Sequence, residues 1–161
     1  MKGVRRVPYR LPELLEAEPG LPVFIVEGEK DVDNVRKLGL VATCNPMGAK
    51  KWHLVAEEAA AGLRARHVVI VPDKDREGLD HAAQVRKLLR GVAASVCVLE
   101  LPGDGKDVSD WIAAGGTAEA LVHLAGEASA KRTSSAEDED EDEDDRTPAR
   151  SGGGKRRRGG G

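Results

Sequence analysis

Short apolar runs alternate with segments of helical spacing along the first 116 residues of the chain. The runs that predict strands cover residues 23–27, 41–44, 68–72 and 95–101. Between them, apolar residues recur three or four positions apart, as Val32, Val35 and Leu38 do, which predicts helices that bury one face. Strands that are apolar along their whole length are typical of parallel sheets covered on both faces. The alternation therefore predicts an α/β fold with a central, mostly parallel sheet flanked by helices.

Composition divides the chain of 161 residues into three parts. Residues 1–20 hold several prolines and predict an irregular lead-in, within which LPELLEA can form a short helix. Residues 21–128 carry the strand and helix pattern and predict a single domain. Residues 129–161 contain nine consecutive acids and then a basic, glycine-rich end. Because this last part has too few apolar residues to offset its ordering entropy, we expect a disordered tail.

Charge and cysteine content restrict the class of protein. Residues 1–130 carry 19 acidic and 17 basic residues, so the predicted domain lacks the strongly basic balance of many nucleic-acid-binding domains. Cys44 and Cys97 stand alone, without the spacing of a zinc site or a disulfide scaffold, and favour a reducing cytoplasm. No apolar run approaches the roughly 20 residues that span a bilayer, and the basic N-terminus lacks the apolar stretch of a secretory signal. We therefore expect a cytoplasmic protein without membrane contact.

Acidic residues follow the predicted strands at the points where they end. Glu27 closes the first strand, Asp73 and Asp75 follow the third, and Asp107 lies in the loop after the fourth. Ligands of open α/β sheets bind beyond the carboxyl ends of the strands, so we expect these four acids to converge at one edge. Because like charges repel, a cation should neutralise them, and Mg²⁺ binds carboxylate oxygens together with substrate phosphates. A metal at this edge can promote phosphoryl transfer.

Each acid also has an ordinary structural interpretation. Asp75 precedes a predicted helix and can be its N-cap, as can Asp107 before the segment that ends in WIAAGG. Glu27 at a strand end can be a solvated side chain. The combination of acids behind two buried strands, rather than any one motif, favours the metal site.

That combination resembles the TOPRIM domain shared by topoisomerases, DnaG-type primases and some nucleases. Its E-G-x-x-D element is matched by Glu27, Gly28 and Asp31, in VEGEKD. Its D-x-D element is matched about 45 residues later by Asp73 and Asp75, in VPDKD. The likeness covers most of the predicted domain. It is closest to the TOPRIM segment of phage- and plasmid-type primase or primase-helicase proteins, through EGEKD, the loop NPMGAKKW and the ending DVSDW.

The resemblance implies a Rossmann-like TOPRIM fold and roles for individual residues. Glu27 would assist proton transfer, and Lys30 and Asp31 would line the catalytic site. The implied metal ligands are Glu27, Asp73, Asp75 and Asp107, with Asp110 as a further candidate. The implied contacts to phosphate or nucleic acid are Gly28, Lys50 and Lys51. The implied cofactor is Mg²⁺ or Mn²⁺.

Three functions are compatible with these residues. The first is nucleotidyl transfer of the DNA-primase type on single-stranded DNA, with nucleotides as substrates and a replicative helicase or zinc-module protein as a partner. The second is a stand-alone nuclease that cleaves phosphodiesters with the same acids. The third is a non-catalytic nucleic-acid-binding or remnant module that needs a partner chain. The presence of all the principal acids favours the first two, whereas the near-neutral charge and the lack of zinc ligands and of a helicase phosphate loop favour the third.

Overall fold

The computed structural model describes the backbone of residues 7–45 and 56–139 and the side chains of 7–45 and 57–131. Within these ranges, helices alternate with strands. The strands are β1 (Val23–Ile25), β2 (Val41–Thr43), β3 (His67–Ile70) and β4 (Ser95–Val98). The helices are α1 (Leu11–Glu16), α2 (Glu29–Lys37), α3 (Ala56–Leu63), α4 (Arg76–Leu89), α5 (Val108–Ala113) and α6 (Ala118–Glu139). The predicted α/β alternation is confirmed.

The strands form one sheet in the order β2-β1-β3-β4. Ile25 of the central strand β1 pairs with Thr43 on one side and with Ile70 on the other. All neighbouring strands run parallel, which confirms the predicted sheet. The strands are shorter than the apolar runs, but backbone hydrogen bonds continue beyond them: the amide of Val71 donates to Ile25 O, and that of Leu99 to Ile70 O, each over 2.8 Å.

Alternate side chains of the strands pack on opposite faces of the sheet. Phe24 and Val69 lie in a core that α2, α5 and α6 cover. Val23 and Val68 lie in a second core, which α1, α3 and α4 cover. Because most residues of each strand are buried on one face or the other, the strands are largely apolar instead of alternating between apolar and polar residues.

The helices that follow β1 and β3 lie on opposite faces of the sheet. Helix α2 buries Val32 and Val35 in the first core, whereas α4 buries Ala82 and Val85 in the second. Since β1 and β3 are neighbours, their connections diverge and leave a crevice between the two carboxyl ends. Such a switch point in the strand order is where open parallel sheets bind ligands.

The lead-in packs against the domain through α1. Leu14 of this helix is fully buried in the second core. The guanidinium of Arg66, just before β3, donates hydrogen bonds to three backbone carbonyls near the end of α1: Leu14 (3.2 Å), Ala17 (2.8 Å) and Glu18 (2.9 Å). Carbonyls at a helix C-terminus have no partner within the helix, so Arg66 satisfies groups that would otherwise be buried without one. The short helix predicted in the lead-in is confirmed.

Helix α6 extends through the predicted boundary between domain and tail. It buries Leu121 and Ala125 against the sheet, and Ser129 Oγ lies 3.4 Å from Cys97 Sγ. No helix was predicted here from the sequence, although apolar residues recur with helical spacing from Leu121 onward. The predicted start of the tail at residue 129 falls inside α6, and its part from residue 140 onward lies outside the described residues, so the domain limits stay predictions. None of the described helices, α6 included, is long and apolar enough to cross a membrane.

Candidate metal centre at the switch point

Three aspartates meet at the crevice between β1 and β3. Asp31 lies in the first turn of α2, Asp73 follows β3, and Asp107 immediately precedes α5. One carboxylate oxygen of each lies within 4.8 Å of the other two. Asp31 is buried, and the other two are half-buried. This acidic triad offers a hard divalent cation the oxygen ligands that it prefers.

The electrostatics of the acidic triad fit a cation. Burial, followed by contact with Glu27 and the charges of neighbouring acids, raises the pKa of Asp73 to about 8. Burial also raises the pKa of Asp31, although a hydrogen bond from Ser109 opposes this effect. A carboxyl group that retains its proton among like charges ionises more readily when a bound cation supplies the compensating charge. The residues present therefore fit a metal cation.

Glu27 lies beside Asp73 at the end of β1. Its Oε2 accepts a hydrogen bond from the Asp73 backbone amide over 3.1 Å, and its Oε1 lies 3.6 Å from Nδ1 of His81. This carboxylate would favour a charged imidazole, but His81 is only 1% exposed, and burial lowers its pKa to about 4. Burial dominates, so a neutral imidazole faces Glu27. Glu27 thus holds the backbone that carries Asp73, while its predicted catalytic and metal-binding roles stay predictions.

The remaining predicted ligands form hydrogen bonds to backbone amides. Asp75 is the N-cap of α4, and its carboxylate accepts a hydrogen bond from the Gly78 amide over 2.6 Å. Asp107 caps α5 in the same way, from the Asp110 amide over 2.8 Å, and still reaches the acidic triad. The carboxylate of Asp110 accepts from the Lys106 amide over 2.9 Å. Asp75 and Asp110 therefore lie outside the triad, and ligand roles for them stay predictions.

The residues predicted to surround the site are only partly described. Gly28 precedes α2 with an extended backbone (φ −123°), and a Cβ there would lie 3.4 Å from Oδ2 of Asp31. The glycine thus keeps the space beside this carboxylate open. Lys30 is exposed in the first turn of α2. Lys50 and Lys51 lie outside the described residues, so their predicted phosphate contacts remain predictions.

Gly78 is a site residue that was not predicted from the sequence. A Cβ at this position would lie 2.2 Å from the carbonyl oxygen of Asp73 and 2.9 Å from its carbonyl carbon. Any larger residue would displace the loop that carries Asp73. A glycine in the first turn of a strongly helical segment was the available signal, because glycine is otherwise unfavourable inside a helix.

An open cleft of about 510 Å³ lies beside the acidic triad. Its lining residues are Pro72, Asp73, Lys74, Asp75, Arg76, Leu79, Glu100 and Leu101. Lys74 and Arg76 give this cleft two exposed cations close to the acids. A cleft of the same volume between β4 and α6 is lined by Glu100, Glu127 and Lys131 among apolar residues, but by no aspartate of the acidic triad. The first cleft is therefore the better place for a phosphate-bearing ligand.

Comparison with known proteins finds similarity among solved structures. No protein-family model and no curated protein matches the chain. The DnaG catalytic core superposes with a TM-score of 0.61 at 24% identity, over 77% of this chain and 40% of that one. The DnaG primase catalytic domain bound to ssDNA gives 0.60 at 23% identity, with the same coverage. The primase fragment of the bacteriophage T7 primase-helicase protein gives 0.53 at 18%, over 68% and 45% of the two chains.

The fold is similar to that of these solved primase structures. The resemblance predicted from VEGEKD and VPDKD is thus confirmed at the level of the fold. At sequence identities below 25%, this similarity concerns the fold alone. The chain spans 40% to 45% of the length of these solved chains.

Proposed function

We propose that the chain is a divalent-metal-dependent nucleotidyl-transfer domain of the DNA-primase type, acting on a single-stranded DNA template in DNA replication. The observation that carries this proposal is the meeting of Asp31, Asp73 and Asp107 at the switch point of a primase-type TOPRIM fold. One structural neighbour, the DnaG primase catalytic domain, was solved bound to ssDNA. Carboxylates in this place suit a reaction at phosphate better than they suit packing, since packing gains nothing from like charges.

The residues of the site would have different roles in such a reaction. The acidic triad would hold Mg²⁺ or Mn²⁺, which supplies Lewis-acid polarisation of a phosphoryl oxygen when bound. Glu27, beside Asp73, would accept the proton of the attacking hydroxyl. Lys74 and Arg76 in the adjoining cleft would attract the phosphates of nucleotide and template. Lys30 at the rim of the crevice would assist them.

The comparison and the charge of the predicted domain support a role for a partner protein. One structural neighbour is a fragment of a primase-helicase protein. We therefore propose a replicative helicase or a zinc-module protein as a partner that contributes template handling in the cytoplasm. The near-neutral charge of residues 1–130 agrees with this, because such a domain supplies little electrostatic affinity for DNA by itself.

The test is a strand assay with a matched pair of charge-removing variants. End-labelled single-stranded DNA is incubated with nucleotides and Mg²⁺ or Mn²⁺, beside the Asp73→Asn variant. Asp80→Asn, at an exposed position of α4 away from the triad, is the control. We expect extension of the labelled strand or newly made short oligomers. The first variant should lower this product on the order of 100-fold or more, and the control should leave it unchanged.

Other outcomes of the assay assign other functions. Shortening of the labelled strand that Asp73→Asn abolishes would replace the proposal with a nuclease that uses the same acids. No change in any lane, with Mn²⁺ binding retained, would mean a non-catalytic module that needs its partner chain. No change together with no Mn²⁺ binding would remove the metal centre itself.

A further inference from the structure

Ser109 and Asn34 connect the two helices that hold Asp31 and Asp107. Ser109 follows Asp107 by two residues in α5, and Asn34 follows Asp31 by three in α2. The hydroxyl of Ser109 donates a hydrogen bond to Oδ1 of Asp31. The Asn34 amide Nδ2 donates to that same hydroxyl oxygen over 2.9 Å. Asp31, Ser109 and Asn34 therefore form one hydrogen-bonded relay across the interface of α2 and α5.

Chemistry fixes the direction of this relay. An amide nitrogen only donates and an ionised carboxylate only accepts, so the single hydroxyl proton of Ser109 has to point to Asp31. Because Asn34 bonds to the hydroxyl oxygen, this proton cannot turn to another acceptor without the loss of a hydrogen bond. Asp31 and Ser109 are each only 8% exposed, so water competes weakly for these groups. The relay thus holds the Asp31 carboxylate in one orientation.

Orientation matters here because the carboxylates of the triad repel one another when they are ionised and no cation is bound. A free aspartate side chain in that position would rotate away from Asp73 and Asp107, and a cation would then have to restore the arrangement at a cost in affinity. A hydrogen bond from a neutral, buried hydroxyl prevents the rotation without adding charge. A carboxylate that is already in place needs no such reordering.

We propose that Ser109, held by Asn34, is a positioning residue that keeps the Asp31 carboxylate turned toward Asp73 and Asp107 and so prepares the site for a divalent cation. The inference rests on the proposed function, since it concerns the metal that these acids would hold. It assigns a site role to a serine and an asparagine that no acid motif indicates. Loss of an outer-shell group of this kind typically weakens metal binding about 10- to 100-fold.

Mn²⁺ affinity of the full chain, measured by the electron paramagnetic resonance signal of the free ion, tests the proposal without turnover. Ser109→Ala removes the donor to Asp31, and we expect Mn²⁺ to bind about 10- to 100-fold more weakly. Thr117→Ala is the matched control, because it also removes one hydroxyl, which accepts a hydrogen bond from the Ala120 amide over 3.2 Å at the start of α6. The control should lose some thermal stability and keep the wild-type Mn²⁺ affinity.

Asn34→Asp separates positioning from charge and from packing. The substitution keeps the size of the side chain but replaces the donor by a carboxylate, which draws the Ser109 proton away from Asp31. If charge alone governed the site, the added negative charge would tighten cation binding. We expect weaker binding instead, which a disturbed orientation of Asp31 would explain and attraction by the added charge would not. This variant also tests the proposal should Ser109→Ala fail to fold, which circular dichroism would reveal.

The outcomes distinguish this inference from the proposed function. Weaker Mn²⁺ binding by both variants, with Thr117→Ala at the wild-type value, supports the positioning role. Wild-type affinity in Ser109→Ala or tighter binding in Asn34→Asp overturns it, even if the melting temperature falls. Failure of the unchanged chain to bind Mn²⁺ overturns the proposed function and the inference with it.

Discussion

Two segments of the chain, DKDREG at 73–78 and GKDVSD at 105–110, start helices α4 and α5 with the same device. The third residue of each is an aspartate with an extended backbone: Asp75 at φ −138° and Asp107 at φ −140°. Each carboxylate accepts a hydrogen bond from the amide three residues later, over 2.6 and 2.8 Å. Yet only Asp107 takes part in the acidic triad. Local sequence specifies the cap, whereas the path of the chain across the sheet specifies which carboxylates meet.

The two segments carry an acid and a glycine at opposite ends. The first segment begins with Asp73 and ends with Gly78, and the second begins with Gly105 and ends with Asp110. In both, the glycine permits a close approach: a Cβ at 78 would lie 2.2 Å from the Asp73 carbonyl oxygen, and one at 105 would lie 2.8 Å from Cβ of Asp110. Asp73 emerges from a central strand and reaches the crevice. Asp110 lies in the first turn of α5 and accepts a hydrogen bond from the loop before this helix. Whether an acid reaches the crevice therefore depends on the strand that it follows.

The largest effect should come from a methyl group on the glycine of the first segment. Gly78→Ala places Cβ against the Asp73 backbone, so either α4 or the loop must move. We expect a loss of about 3 kcal/mol in the free energy of unfolding, measured in urea, and weaker Mn²⁺ binding as Asp73 is displaced. Gly126→Ala in α6 is the control, since a Cβ there meets nothing within 4 Å. It should stabilise the protein by up to about 1 kcal/mol, and a similar gain in Gly78→Ala would contradict the close approach.

The charge of the first segment should show in the dependence of stability on pH. Because the pKa of Asp73 is raised to about 8, the folded protein retains a proton that the unfolded chain releases above about pH 4. Metal-free stability due to this group is therefore present at pH 4 and is lost as the pH rises toward 8. Asp73→Asn removes that loss. The gap in free energy of unfolding between this variant and the wild type should therefore grow from near zero at pH 4 to on the order of 2 kcal/mol at pH 8, with the variant more stable.

Thermal unfolding from pH 4 to pH 8 measures this gap. His81, whose pKa burial lowers to about 4, destabilises both proteins alike as the pH falls below about 6.5, and the difference between variant and wild type cancels it. Addition of Mg²⁺ should narrow the gap at pH 8, because the cation stabilises only the protein that binds it. A gap that does not change with pH would contradict the raised pKa of Asp73.

The two capping aspartates should differ in their effect on metal binding when each is replaced by serine, which retains an N-cap oxygen but no charge. Both Asp75→Ser and Asp107→Ser should change the free energy of unfolding by no more than about 0.5 kcal/mol. Asp107→Ser should weaken Mn²⁺ binding at least about tenfold, equivalent to about 1.4 kcal/mol, and Asp75→Ser should not. Titration of each variant with Mn²⁺ measures the difference. Equal losses would support Asp75 as the metal ligand that the resemblance implies.

The smallest effect should come from the acid that closes the second segment. Asp110→Ala removes a partly solvated hydrogen bond to the Lys106 amide, and we expect a loss of about 0.5 kcal/mol with unchanged Mn²⁺ affinity. Asp110→Asn preserves the acceptor oxygen and should restore the stability. A clear fall in Mn²⁺ affinity in either variant would show that Asp110 is a further ligand.

The sequence predicted the sheet well because burial on both faces leaves an unambiguous pattern. Runs such as VFIV and VVIV can hardly be exposed, and acids at their ends then have to meet at one edge of a parallel sheet. The loop predicted after the fourth strand, before Asp107, is also present. Asp73 and Asp107 were predicted as ligands on these grounds, and the structure brings them together.

What could not be predicted depends on how helices pack against each other. Asp31 was expected only to line the site, because nothing local shows that α2 and α5 press it against Ser109 and into the triad. Likewise His81 resembled any other histidine until α4 placed it beneath Glu27. The D-x-D spacing also does not reveal that the carboxylate of Asp75 accepts a hydrogen bond from the Gly78 amide, and its predicted role as a metal ligand stays a prediction.

The guanidinium of Arg66 limits how this domain can be exchanged between genes. Its three carbonyl acceptors all belong to residues 14–18. A recombination breakpoint near residue 20 would therefore remove these acceptors and leave the buried guanidinium without them. The resulting penalty, on the order of 3 kcal/mol, is a large part of what a small domain has to spare. A breakpoint ahead of Pro8 would transfer α1 together with the sheet and avoid this penalty. We therefore expect α1 and the sheet to be inherited together, although the sequence motifs alone would place the start of the domain after α1.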